Sequence, residues 1–376
     1  MKAEEQMTRA KPRIRVADFF CGCGGTSAGL RNTGMDIVFG LDLEPYASST
    51  FQRNFPNARF IQSDIREVSK QRIAEEVGRN NRQPLLISAC APCQPYSTFV
   101  GHQPRDSRRS LLLQLLPVIE DLKPAFVFIE NVPRLKRENT PAGTFARFCK
   151  ALRRLGFSVT SGIVDCQNYG VPQRRRRLVI LASRLGPVAI PDPTHGSGPS
   201  KNPISTVWEW IGHLPAIEAG VSHPSIPNHV SSKLTALNLK RIEAIEPGGT
   251  RAQWPSDLQL ECHKFHGGHS DVYGRMRPDA PAPVLTTKCT SISNGRFGHP
   301  FQNRPISVRE AACLQTFPES FVFDGGIKAA SKQVGNAVPV LLAQKMGEVF
   351  VAQWAEHLRD AARSTVPQRA KSSAGM

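Results

Sequence analysis

The sequence predicts an α/β protein, with a mostly parallel sheet, helices between its strands, and a smaller, loop-rich lobe beside it. Three observations predict this. In the first half, short β-branched or aromatic runs alternate with stretches of helical spacing, the pattern of βαβ units. After about Arg184 the chain turns Pro-, Gly- and Ser-rich and the alternation stops. Helical spacing returns only near the C-terminal end. At 376 residues, 40% of them hydrophobic, the chain has room for one large domain with a sizeable core and a second lobe.

The elements follow in order. Strands are expected at 14–20 (IRVADFF), 36–42 (DIVFGLD), 58–64 (ARFIQSD), 84–90 (PLLISAC) and 125–131 (AFVFIEN). Helices near 26–33, 45–55, 66–78 and 110–122 fill the gaps. Two more strands, 157–165 and 176–183, are joined by a short connection. Ligands of such sheets bind beyond the carboxyl ends of the strands, so the polar residues there become site candidates together. The stretch 186–203 opens the lobe, in which 208–217 (WEWIGHLPAI) reads as a short helix. The runs 306–317 and 338–358 are helical by spacing. The expected organisation is a flexible tail at 1–13, a main domain at 14–185, the lobe at 186–303, a return to the main domain at 304–358, and a flexible tail at 359–376.

Charge narrows the function. Lys and Arg number 48 against 31 Asp and Glu, a net charge of +17. A chain this basic suits a polyanion, most often nucleic acid. No run of about 18 uncharged apolar residues exists, so no membrane-spanning helix is expected. The start, MKAEEQMTRAKPRIR, has no apolar signal core, which leaves the cytoplasm as the expected location. Nine cysteines, an odd count, fit reduced thiols rather than a disulfide framework.

Four motifs carry chemistry. The first expected strand runs into Cys21-Gly22-Cys23-Gly24-Gly25-Thr26 and then a helix. Glycines there let a ligand approach the backbone, and helix N-terminal amides favour an anion. Asp42 ends the next strand and suits ribose hydroxyls; a tight turn with no ligand is the alternative. The second is Cys90-Ala91-Pro92-Cys93-Gln94-Pro95-Tyr96-Ser97. It fits either a CxxC redox or metal pair or one nucleophilic thiol, Cys93, on a loop stiffened by prolines. The third, Phe128-Ile129-Glu130-Asn131-Val132, sets a carboxyl at a strand end, as a proton donor or as a cap or ion-pair partner. The fourth is Gln173-Arg174-Arg175-Arg176-Arg177. On a strand, Gln173, Arg175 and Arg177 share one face and Arg174 and Arg176 the other, so one row can enter a cleft while the other stays solvated.

In this order the motifs resemble those of the DNA (cytosine-5) methyltransferase family. DFFCGCGG looks like its cofactor motif, APCQPYS its nucleophile motif, IENV its catalytic-acid motif and QRRRR its Q-x-R-x-R motif. Two later blocks match as well. NRPISVREAACLQTFPESF (303–321) resembles the anchor of the target-recognition domain, and QVGNAVPVLLAQ (333–344) the closing motif at the cofactor site. The resemblance spans about 14–355, with the lobe weakly matched. Cys90 departs from it, standing where a glycine is common.

The resemblance implies a Rossmann-like, S-adenosylmethionine-dependent methyltransferase domain with the lobe as target-recognition domain. It implies cofactor contacts from Phe20, Gly22, Gly24, Gly25, Asp42, Leu43, Asp64, Ile65, Pro92, Leu111, Asn336 and Val338. Phe20 would lie against adenine, Asp42 would hold the ribose and Asp64 the adenine amino group. The chemistry explains the residue types. C5 of cytosine is too weak a nucleophile to take a methyl group, and a Cys93 thiolate adding at C6 activates it. Protonated Glu130 would neutralise charge at N3, Arg175 would support the base carbonyl, and Gln173 and Arg177 complete that group. The base must be flipped out of double-stranded DNA. Gln94, Ser97, Arg105, Arg108 and Arg109, on a loop closing over it, are the expected DNA contacts, and the basic surplus serves phosphates.

The implied partners are double-stranded DNA and a companion restriction endonuclease, with a monomer sufficient for the chemistry. Cys262, His263, His266 and His269 cluster in the lobe, but their spacing matches no closed zinc pattern and no metal is expected. Two other readings stand beside this one: an RNA (transfer-RNA-type) cytosine-5 methyltransferase and a non-catalytic DNA-binding regulator. The lobe's length favours DNA over RNA. The presence of Cys93, Glu130 and the Gln-x-Arg-x-Arg row favours an enzyme over a regulator.

Overall fold

Seven strands form one sheet in the order β3-β2-β1-β4-β5-β7-β6 in a computed structural model that describes residues 13–78, 83–92, 107–137, 143–261 and 271–364. The strands are β1 (Arg15–Phe19), β2 (Asp36–Asp42), β3 (Arg59–Gln62), β4 (Leu85–Ala89), β5 (Phe126–Asn131), β6 (Ser158–Asp165) and β7 (Arg176–Ser183). β1 to β5 pair in parallel, and β7 runs antiparallel to both β5 and β6. All seven lie where the sequence predicts them.

Helices cover both faces, which is why β1, β4 and β5 are buried throughout. In chain order they are α1 (Gly25–Asn32), α2 (Pro45–Asn54), α3 (Lys70–Val77), α4 (Leu116–Leu122), α5 (Arg134–Arg137), α6 (Thr144–Arg154), α7 (Val207–Ile211), α8 (Ala236–Glu243), α9 (Val308–Leu314), α10 (Ile327–Asn336) and α11 (Val340–Ser364). Side chains alternate along each strand. Ala17, Phe19, Ile87, Val127 and Ile129 therefore meet Ile73 and Val77 of α3, Ile119 of α4 and Phe148 of α6. Val16, Leu86, Phe126 and Phe128 face the other way, onto Leu30 of α1 and Leu342, Met346 and Phe350 of α11. Helices α1 and α11 pack so closely at Gly29 that a Cβ there would lie 2.2 Å from the Val340 carbonyl oxygen.

A third core joins parts distant in sequence. Phe51 and Phe55 of α2 pack with Phe317 and Phe321, with Ala311 and Leu314 of α9, and with Val207, Met276, Leu285 and Phe297 of the lobe. The lobe and the C-terminal segment thus share a core across the expected boundary at 303. Elsewhere the lobe has few regular elements and a small cluster of Ile245, Trp254 and Leu258. Buried guanidinium groups substitute for a ladder. Arg275, 4% exposed, donates to the carbonyls of Ile242, Ile245, His299 and Gln302.

Some elements differ from the sequence expectation. Helices α5, α6, α8 and α10 were not predicted. α11 continues through 359–364, where a flexible tail was expected, and 365–376 lie outside the described residues. Among the described residues no helix is long and apolar enough to cross a membrane.

Candidate active site

A cavity of about 710 Å³ opens at the carboxyl ends of β1, β2 and β4. β1 lies between β2 and β4, so this is where the strand order reverses, the crevice in which open α/β sheets bind ligands. Eleven of the twelve expected cofactor residues line it: Phe20, Gly22, Gly25, Asp42, Leu43, Asp64, Ile65, Pro92, Leu111, Asn336 and Val338. Gly24, the twelfth, is the N-cap of α1 at φ 95°, where an added Cβ would lie 2.5 Å from Phe55. Its work is to let the loop turn. Phe20 also holds a positive φ, 52°, the kind of local strain that concentrates at functional sites.

Hydrogen bonds set the cavity's acids. The Gly22 N–H donates to Asp42 Oδ2 at 2.8 Å and the Glu44 N–H to Oδ1 at 2.9 Å, while burial pushes the Asp42 pKa up. Arg66 grips Asp64 through Nη2–Oδ2 at 2.6 Å and holds its carboxyl below the ordinary range. Beneath the glycine loop, Asp18 accepts from Ser27 Oγ at 2.6 Å and Ser88 Oγ at 2.7 Å. That fully buried carboxylate ties β1 to α1 and β4, and burial raises its pKa to about 6.

Sequence reasoning missed the far wall. Lys328, Lys332 and Gln333 of α10 line the cavity, as does Tyr46 of α2, and Lys332 pairs with Glu44 across the mouth. The amphipathic spacing of Ala330, Val334 and the lysines in 327–336 was the available signal. Cys21, Cys23 and Cys90 also line the cavity. Burial pushes the Cys23 thiol up to about 12, so it stays protonated.

Strand register builds the second half of the site. β4 and β5 pair Ala89 with Ile129, which sets Cys90 beside Glu130. Cys90 Sγ donates to Glu130 Oε2 at 3.0 Å. β5 and β7 pair Asn131 with Leu178, which brings in Arg177 from the other side. Its Nε lies 2.7 Å from Glu130 Oε1. The contact is an ion pair without hydrogen-bond alignment, and Oε1 has no hydrogen-bond donor among the described residues. Glu130 is 3% exposed. Asn131 fixes the neighbouring loop, donating from Nδ2 to the Ala91 carbonyl at 3.0 Å.

The Gln-x-Arg-x-Arg row alternates as strand geometry requires. Gln173 and Arg175 are buried and Arg174 and Arg176 exposed. Its members do different things. Gln173 donates to Gln315 Oε1 at 3.0 Å and accepts from the Leu285 N–H at 3.1 Å. Arg175 was expected at the base carbonyl. Its terminal nitrogens instead donate to the carbonyls of Leu285, Gly335 and Ala337, each at 3.1 Å. Burial lowers its pKa to about 10. These two side chains fasten the lobe and the end of α10 to the sheet, and Arg177 is the member that contacts Glu130.

Cys93, Gln94, Ser97 and Arg105 lie outside the described residues, as do Cys262, His263, His266 and His269. Arg108 and Arg109 fall in the 3₁₀ stretch Ser107–Leu115, with their side chains outside the description.

Comparison with known proteins agrees with this geometry. The sequence profile described as C-5 cytosine-specific DNA methylase matches residues 14–352. The Type II methylase M.HgiDII of Herpetosiphon aurantiacus is 39% identical over 88% of this chain and 92% of its own length. The Type II methyltransferase M1.HphI of Haemophilus parahaemolyticus is 32% identical over 90% of this chain and 87% of its own. Among solved structures, a prophage-encoded E. coli protein described as a DNA modification methyltransferase superposes with a TM-score of 0.70 at 21% identity, over 91% of this chain and 99% of its own. S. pombe Dnmt2 superposes with 0.54 at 19%, over 92% and 99%. At these identities the structural likeness is one of fold.

Proposed function

The chain belongs to the C-5 cytosine-specific DNA methylase family, and from that premise we propose how this enzyme carries out the transfer. In the cavity, Asp42 would hold the ribose of S-adenosylmethionine, Phe20 and Leu43 its adenine and Asp64 the adenine amino group, while the Gly22–Gly25 loop would receive the methionine part. Bound there, the cofactor supplies an electrophilic methyl group. The fit rests on this chain's own features. The cavity has the size of small-molecule sites, its loop approaches through glycines, and a buried carboxylate stands at the strand end where hydroxyls need an acceptor.

Cys93 adds as thiolate to C6 of a flipped cytosine, and Glu130 delivers a proton toward N3 as charge develops there. C5 then takes the methyl group and loses its proton to water, which expels the Cys93 thiolate, and the N3 proton returns to Glu130. The observation that carries this reading is the Glu130 carboxyl, buried beside the cofactor cavity, with Arg177 paired to an Oε1 that has no hydrogen-bond donor among the described residues. Arg177 steadies the carboxyl, and Gln173 and Arg175 hold the frame. Arg105, Arg108 and Arg109, with Gln94 and Ser97, meet the DNA around the flipped base. One chain carries every group named, so a monomer suffices. The Type II relatives favour a companion restriction endonuclease.

Bisulfite sequencing of plasmid from a methylation-free host, beside a Cys93→Ala control, tests the reaction. Protected cytosines in one fixed context, absent in the control, are expected. Protection of transfer RNA alone would move the substrate to RNA. DNA carrying 5-fluorocytosine tests the covalent step, because fluorine cannot leave as the C5 proton does. Wild type should form a denaturation-resistant adduct and Cys93→Ala none; an adduct in the variant would remove Cys93 from its role.

A further inference from the structure

The contact between Cys90 and Glu130 is built into the sheet by the pairing of β4 with β5. We propose that Cys90 is a positioning residue for the methyl transfer: its thiol holds Oε2 of Glu130 so that the carboxyl meets the base in one orientation. The proposal rests on the catalytic role of Glu130 given above.

Three observations support it. The parallel register of β4 on β5 places residue 90 beside residue 130, and the Sγ–Oε2 distance is 3.0 Å. Glu130 is otherwise held at Oε1 by an ion pair from β7 that lacks hydrogen-bond alignment. The terminal torsion of a glutamate is broad and roughly two-fold, so one ion pair at one oxygen leaves the carboxyl free to rotate. A donor on the second oxygen removes that freedom. Glycine cannot supply one. Cys90 also lines the cofactor cavity, so the same side chain touches the space where the methyl donor would sit.

The ionisable groups acting on Glu130 among the described residues are Cys90 from β4, Arg177 and Arg175 from the β7 segment, and Cys166 from the turn after β6. Of these, Cys90 is the one that donates a hydrogen bond to the carboxyl.

The test compares Cys90→Ala, which removes the donor, with Cys90→Ser, which keeps one. Steady-state methyl transfer is measured for both on plasmid DNA. The expected result for Cys90→Ala is a kcat lower by about tenfold, the loss of one oriented hydrogen bond. Its cofactor KM should stay within about twofold. Cys90→Ser should recover most of kcat. If Cys90→Ala unfolds, shown by circular dichroism, Cys90→Gly against Cys90→Ser makes the same comparison. Wild-type kcat in the donor-free variant would overturn the proposal. So would a serine variant as impaired as alanine, since the role would then be shape. Wild type that binds S-adenosylmethionine by equilibrium dialysis yet methylates no DNA would overturn the proposed function and this role with it. Active wild type with an indifferent Cys90→Ala removes this role alone.

Discussion

Arg177 and Arg175 differ by one turn of the strand's alternation and act in different places. Both lie on the inward row, which is legible from Gln173-x-Arg175-x-Arg177. Which one reaches Glu130 is not, because it depends on the antiparallel register of β7 on β5. Arg177→Ala should lower kcat by about 10- to 100-fold, since a buried carboxylate loses its charged partner. Arg177→Lys should fall between, keeping the charge but losing the planar group. Methyl transfer measured at saturating cofactor checks this; an unchanged alanine variant would leave Glu130 without need of the pair. Asp18 gives a second test, by stability. Its folded pKa of about 6 stands above the ordinary 3.8, so the folded chain binds the proton more tightly than the unfolded one. That contribution is fully present below about pH 4 and is lost as pH rises through about 6. Wild type should therefore lose stability relative to Asp18→Asn, by about 2 kcal/mol between pH 4 and pH 7. Urea midpoints of both proteins at pH 4, 5, 6 and 7 decide it, and parallel curves would refute it.

Elements differ in how openly the sequence declares them. The seven strands are legible because each is a compact β-branched or aromatic run, and sheets covered on both faces need such runs. Helix α6 carries Phe145, Phe148, Cys149 and Leu152 at helical spacing on its buried side, so its signal was present and simply interrupted by its polar neighbours. Helix α10 is harder: its sequence, IKAASKQVGN, is weakly apolar, and it is held by contacts from α9, the lobe and α2 rather than by its own pattern. The cavity's far wall was faint for that reason, its one signal being the spacing of Ala330 and Val334 against the lysines. The junction of α1 with α11 is a purely spatial fact. Gly29 sits in a helix interior, where alanine would ordinarily stabilise. The Val340 oxygen, 2.2 Å from a Cβ built there, reverses the sign. Gly29→Ala should cost about 2 kcal/mol and Gly29→Val more, through overpacking. Since α1 carries the glycine loop, the cofactor KM should rise in step with the loss. Denaturation midpoints and cofactor titration of the two variants check this; a stabilised alanine variant would contradict the close packing.

At the scale of the whole molecule, the charge of +17 carries two different kinds of arginine. The sequence directs the surplus to phosphates, but Arg175, Arg275, Arg304 and Arg309 are each at most 4% exposed and bond inward. Arg304 forks onto both oxygens of Glu310 at 2.8 and 2.6 Å, and Arg309 donates to the carbonyls of Pro227, Pro318 and Phe321. Composition cannot separate these from surface arginines, because burial of a guanidinium is decided by loops that offer it carbonyls. The two classes should separate in solution. DNA affinity falls with salt by about 0.9 in logarithmic slope for each phosphate contact. Arg275→Met removes a charge that reaches no phosphate, so the slope should hold at its wild-type value while the unfolding temperature drops by several degrees. Arg108→Ala, on the segment proposed to close over the base, should reduce the slope by about one and leave the unfolding temperature in place. Fluorescence anisotropy with labelled duplex from 50 to 200 mM salt, beside thermal unfolding, reads both quantities. A slope that falls in Arg275→Met would place that guanidinium on the DNA. An unchanged slope in Arg108→Ala would move the phosphate-binding face away from the cavity mouth and onto the lobe, whose exposed Arg277 is then the next residue to substitute.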